Sequence, residues 1–139
     1  MTINIINAII KKKDTGEDMA DSLAKVGIFK QEYNNNLNTN LPCLDIMQSS
    51  GLIKHIQKRH PNQIQYLSNI QDILNNPDYI GMNPKQPDSI ELIKVYADNI
   101  LIAIKLDNSN GYYYIASLYD VTQSKINSGL NSGRIKKYT

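Results

Sequence analysis

The 139-residue sequence predicts an α+β fold, N-terminal helices packed on an antiparallel β-meander of three to four strands. Three observations lead there. Apolar residues recur at helical spacing through the first half of the chain. From Ser89 the period changes to segments rich in β-branched and aromatic residues. Short turn-forming stretches separate those segments, as a meander requires.

In chain order, the apolar run INIINAII is too short to span a bilayer. It has no basic flank before it and no small-residue cleavage site after it, so neither a membrane span nor a signal peptide is expected, and the expected compartment is cytoplasmic. Thr15 and Asp18 have capping-box-like spacing ahead of MADSLAKVGIF, which reads as a helix ending near Gly27. The Asn-rich EYNNNLNTNLP favours turns and reads as a loop. A single domain over 1–139 is expected, with 1–42 a helical N-terminal extension bearing this loop and 43–139 the core. Next comes GLIKHIQKRH, a helix closed by Pro61. Ile64, Leu67, Ile70 and Leu74 mark a second helix that stops at NNPDYIG. SIELIKVY, NILIAIKLD and GYYYIASLYDV form the meander, and RIKKY in the basic tail adds a fourth short strand.

Composition sets outer bounds. Apolar residues at 41% and charged residues at 20% place the chain among globular domains. A formal charge of +2 is a weak global field, so a nucleic-acid partner would have to be held by a local basic patch. Cys43 is the only cysteine, which excludes an intramolecular disulfide and a cysteine-rich metal site and fits a reducing compartment.

Both histidines of the chain fall in GLIKHIQKRHP. On a helix, Leu52, Ile53, Ile56 and His60 form the buried stripe, with Arg59 and His55 on its border. About 140° separates the two histidines. Metal-binding histidine pairs converge at i, i+4; here the spacing is five and no third ligand is near, so no metal site is expected. Alone, the stretch reads as an amphipathic helix with one core and one solvated histidine.

The strands add a second candidate surface. A five-residue DNSNG hairpin sets Ile104 opposite Tyr114, Ile102 opposite Ala116 and Ile100 opposite Leu118, keeping one face apolar. The other face then carries Lys105 beside Tyr113, Leu101 beside Ser117 and Asn99 beside Tyr119. A lysine for phosphate, a tyrosine to stack on a base and a serine donor suit a nucleotide. The same residue types also suit an ordinary solvated face.

The succession SSGLIKHIQKRHP, YLSNIQDILNNPDYIGMNPK, SIELIKVYADNILIAIKLD, YYYIASLYDVTQSKI and SGRIKK resembles the barnase, EndoU, colicin and RelE-like (BECR) nuclease domains of phages and mobile elements. The resemblance covers roughly the last hundred residues, a domain's length. It implies helices on a four-stranded antiparallel meander, with the site on the sheet face away from them. It also implies metal-independent RNA cleavage without a cofactor, by 2′-hydroxyl attack on the adjacent phosphate. The matching positions are His55, His60, Ser117, Ser132 and Arg134. The resemblance thus implies catalytic roles for His55, His60, Ser117 and Arg134, and a substrate-binding role for Ser132. Lys105 and Tyr113 join the substrate-binding set from the face reading, and Arg59 from its place beside His55. The helix dipole suits His60 to the acid role, and Arg59 suits His55 to the base role. Two histidines 140° apart cannot easily reach one phosphate, so either one acts or the helix ends before His60, as Pro61 permits. Expected partners are RNA, with tRNA a candidate, and an antitoxin or immunity protein; no membrane is expected. A catalytically silent RNA- or protein-binding module, and a structural protein of a mobile element, stay open as alternatives.

Overall fold

A computed structural model describes residues 22–139 apart from Pro84, Gln86 and Pro87. INIINAII and the Thr15–Asp18 cap lie outside the described residues. The fold is α+β: one seven-stranded mixed sheet with helices on both faces.

The expected meander is present as β4 (Ser89–Val95), β5 (Asn99–Lys105) and β6 (Tyr113–Val121). It is extended on both sides. β3 (Tyr79–Met82) pairs with β4, and β7 (Ile135–Lys137), the strand expected at RIKKY, pairs with β3. On the other side β2 (Asp45–Ser49) runs parallel to β6, and β1 (Leu23–Ile28) pairs antiparallel with β2. The order is β1-β2-β6-β5-β4-β3-β7, larger than the expected three or four strands.

Two N-terminal expectations are corrected. Leu23–Ile28 of the expected helix is strand β1. Val26 and Ile28 are stiff at χ1; Ile28 gains a paired neighbour in β2 and Val26, at the irregularity between Lys25 and Gly27, is buried in the core, which outweighs the weak helical spacing. The Asn run holds a short helix, α1 (Gln31–Leu37), ended by Asn38 in the left-handed region at φ 56. Asn34 is buried and organises the exit: its Nδ2 donates to Leu41 O at 2.9 Å, while its Oδ1 accepts from Thr39 Oγ1 and Leu41 N. The turn-forming capacity of asparagine is spent here on closing a helix.

α2 (Ser50–Arg59) matches the expected histidine helix. The second expected helix is a 3-10 segment, Pro61–Asn69, continued by α3 (Ile70–Asn75). A further helix, α4 (Gln123–Ser132), occupies what read as a basic tail. Its caps are legible in hindsight. Thr122 Oγ1 accepts from Lys125 N at 3.1 Å, and Gly133 ends the helix at φ 80.

The main core lies between α1–α3 and the sheet face bearing Ile90, Leu92, Ile100, Ile102, Ile104 and Leu118. Each such side chain contributes about 1.5–3 kcal/mol on burial. The opposite face carries Ile93 and Leu101 under Ile126 of α4 and Ile135 of β7. The tail is pinned to α1, where Lys136 Nζ donates to Asn36 O at 2.9 Å and Thr139 N to Asn36 Oδ1 at 3.1 Å.

The β5–β6 register also differs from expectation. Ile100 faces Asp120, Ile102 faces Leu118 and Ile104 faces Ile115, with an irregularity between Ala103 and Ile104. The extra β6 residue there reverses the faces of its first half. Tyr113 therefore points into the main core, 1% exposed, with its hydroxyl donating to Pro42 O at 2.8 Å. Its expected place on the open face is overturned.

Candidate functional site

β2 pairs with β6 only through Ile46–Tyr113 and Met47–Tyr114. Where β2 ends, α2 begins at once and packs along β6. Leu52, Ile53 and Ile56 bury the core stripe. His55 stays on the outer side and reaches β6, its Nε2 3.2 Å from Ser117 Oγ. Which of the two donates depends on the imidazole tautomer.

His60 leaves the helix. Its φ of −140° and ψ of 54° are not helical, while its N–H still donates to Ile56 O at 2.8 Å. A residue before proline is driven from the helical region, which ends α2 at Arg59. His60 is therefore half-buried outside the expected stripe, and its ring lies 5.6 Å from that of His55. It also stacks on Tyr119 of β6, with centroids 5.4 Å apart and planes at 29°. The 140° separation of an unbroken helix is removed by this turn.

The pairing of β4, β5 and β6 sets the next residues in a row. Ser117 lies opposite Ala103, and Ala103 opposite Glu91. Successive strands are ~4.8 Å apart, so Ser117 and Glu91 sit ~10 Å apart across a low alanine floor. Arg134, in the turn between α4 and β7, completes the row: its Nη2 donates to Glu91 Oε1 at 2.8 Å. Burial pushes the Tyr119 phenol up from its ordinary value; Glu91 adds to that rise and Arg134 opposes it.

The sheet thus brings His55, His60, Ser117 and Arg134 to one side, joined by Glu91 and Tyr119. The strand reading places Tyr119 on this face without giving it a role, and it does not single out Glu91. A signal existed for Glu91: an acid between Ile90 and Leu92 in a strand is costly to bury without a partner. Ser132 supports the row from behind. Its Oγ donates to Gly129 O at 3.1 Å and accepts from Arg134 N at 3.4 Å. Lys105 is paired with Asp88 at 2.6 Å, which raises the lysine and lowers the carboxylate from their ordinary values. Arg59 is exposed in the last turn of α2. Among the described residues no three His, Cys, Asp or Glu side chains gather as a metal ion would need. None of their helices is long and apolar enough to cross a membrane.

Imidazoles, a hydroxyl and a guanidinium on the sheet face that α4 partly covers suit chemistry on a phosphate. No curated protein and no solved structure matches the chain. A family model does, over residues 24–128, which hold His55, His60, Glu91, Ser117 and Tyr119 but stop short of Arg134. The chain belongs to that family, described as phage-Barnase-EndoU-ColicinE5/D-RelE like nuclease3.

Proposed function

We propose that this family member is a metal-independent ribonuclease, acting as a toxin or effector of a phage or mobile element. The observation that carries the reading is the convergence of the two imidazoles, 5.6 Å apart, with Nε2 of one at Ser117 Oγ. His55 takes the proton from a ribose 2′-hydroxyl, and the O2′–P bond forms. The P–O5′ bond breaks as His60 gives a proton to the leaving oxygen. The products are a 2′,3′-cyclic phosphate and a 5′-hydroxyl. Histidine suits both transfers at neutral pH. Ser117 donates a hydrogen bond to the phosphate. Arg134 has further N–H donors beyond the one held by Glu91, and these meet the growing negative charge.

The test is incubation of the purified chain with tRNA and total RNA in EDTA. Cyclic-phosphate ends are expected, with kcat falling about 10²–10⁴-fold in His55→Ala and in His60→Ala. Expression should arrest host growth, and the same variants should relieve the arrest. RNA left intact across a broad panel would defeat the reading, and RNA bound but uncut would identify a binding module.

A further inference from the structure

Beneath α4, on the same sheet face, lies a cavity of about 180 Å³. Its lining includes apolar Leu101 and Val121 from the sheet and Ile126 from α4, with Tyr119 beside them. Glu91 and Arg134 also line it. The Glu91 side chain is only 7% exposed, and Arg134 Nε is buried with no hydrogen-bond partner. An unpaired buried N–H is costly, and a ligand acceptor would satisfy it. An apolar cavity of ~150 Å³ admits a benzene ring, so a flat heterocycle is of fitting size here.

We propose that this cavity seats the nucleobase beside the cleaved bond and selects bases that carry an exocyclic amino group. The proposal rests on RNA being the substrate of the adjoining site. A base edge with an acceptor beside an amino group meets both polar groups, Arg134 donating and Glu91 accepting. Cytosine, adenine and guanine offer such edges. In the same pose uracil sets a carbonyl against the carboxylate, and it avoids that repulsion only by shifting so that N3–H donates to Glu91, which moves the ring from the place cytosine takes. Tyr119 connects the two places, since it lines the cavity while His60 stacks on it. A seated base is therefore one side chain away from the proton-transfer pair.

The experiment is a methyl NMR titration of the full chain with cytidine and uridine 5′-monophosphates. Shifts are expected at Leu101, Ile126 and Ile135, with uridine monophosphate about tenfold weaker, equivalent to ~1.4 kcal/mol. Ser128→Phe, at the exposed cavity lining, should abolish those shifts while the main-core signals of Ile56 and Ile102 persist. Glu91→Gln should erase the preference for cytidine. Shifts elsewhere only, or uridine binding as well as cytidine, would overturn the proposal. Binding requires no cleavage, so the two readings fail separately. Cavity shifts in a chain that leaves all RNA intact would sink the ribonuclease alone, and cleavage without cavity shifts would sink the base site alone.

Discussion

Glu91 is the only charged side chain that is buried among the described residues, and Arg134 is what makes its burial tolerable. Breaking a buried pair from one side leaves an uncompensated charge, costing about 3–5 kcal/mol where both partners are fully buried. Arg134 is 32% exposed, so Arg134→Met should cost less, about 2 kcal/mol by urea unfolding. Adding Glu91→Met should recover much of that loss, and the double-variant cycle measures the coupling. A loss that the second substitution leaves untouched would mean the pair is not what holds this end of the sheet. Ser117 tests the opposite behaviour. Ser117→Ala removes a half-exposed hydroxyl, so stability should change by under about 0.5 kcal/mol while kcat falls. Equal losses in both would assign Ser117 to packing.

At the scale of elements, two tyrosine–carboxylate contacts tie the helical layer to the β4–β5 turn. Tyr66 Oη donates to Asp98 Oδ2 at 2.9 Å, Tyr96 Oη donates to Asp72 Oδ2, and the two rings stack 5.6 Å apart. The Tyr96 hydrogen bond holds the Asp72 carboxyl below its ordinary range. A depressed carboxyl stabilises the fold above about pH 4 and loses that contribution as pH falls through its folded value. Tyr96→Phe should therefore lower stability at pH 7 by about 1 kcal/mol, discounted for solvent screening, with the difference from wild type shrinking in acid. A deficit constant down to pH 2 would argue against this contact. A second prediction concerns β7. A Cβ at Gly81 would lie 2.5 Å from Arg134 O, a backbone atom that cannot move without parting β3 from β7. Gly81→Ala should cost about 1–3 kcal/mol and speed amide exchange in Ile135–Lys137. The elements whose period was strong, α2 and β4–β6, were legible in the sequence. β1 and β2 were not, because short strands at a sheet's margin are decided by the partner they meet. α4 was missed although Thr122 and Gly133 bracket it, because only Ile126 and Leu130 mark an apolar face within it.

At the scale of the whole molecule, net charge is small, so RNA affinity should come from a few local contacts. With about three phosphates held, the slope of log K against log salt should be about −2 for a single strand. A steeper slope would require a longer basic track than the row described above. The histidine pair shows where reading a sequence stops. The residue types were plain and Pro61 already left open a helix that ends before His60, but the choice between that turn and an unbroken helix came only with the fold. The bulge at Ala116 likewise came only with the fold, moving Tyr113 from the open face to the core through one extra residue.

The pinning of the tail to α1 has a consequence in time. His55 and His60 leave the ribosome well ahead of Arg134, which follows His55 by 79 positions. At about 5–20 residues per second, synthesis carries the histidines for several seconds before the guanidinium exists. Until Arg134 has been added Glu91 has no counter-charge, and until Lys136 and Thr139 follow β7 lacks its contacts to Asn36. Under the proposed ribonuclease reading, a nascent chain at that stage has its proton-transfer pair and no anchor for a phosphate. On that reading translation order would act as a safety catch, and a chain interrupted before residue 134 should be inert in the cleavage assay.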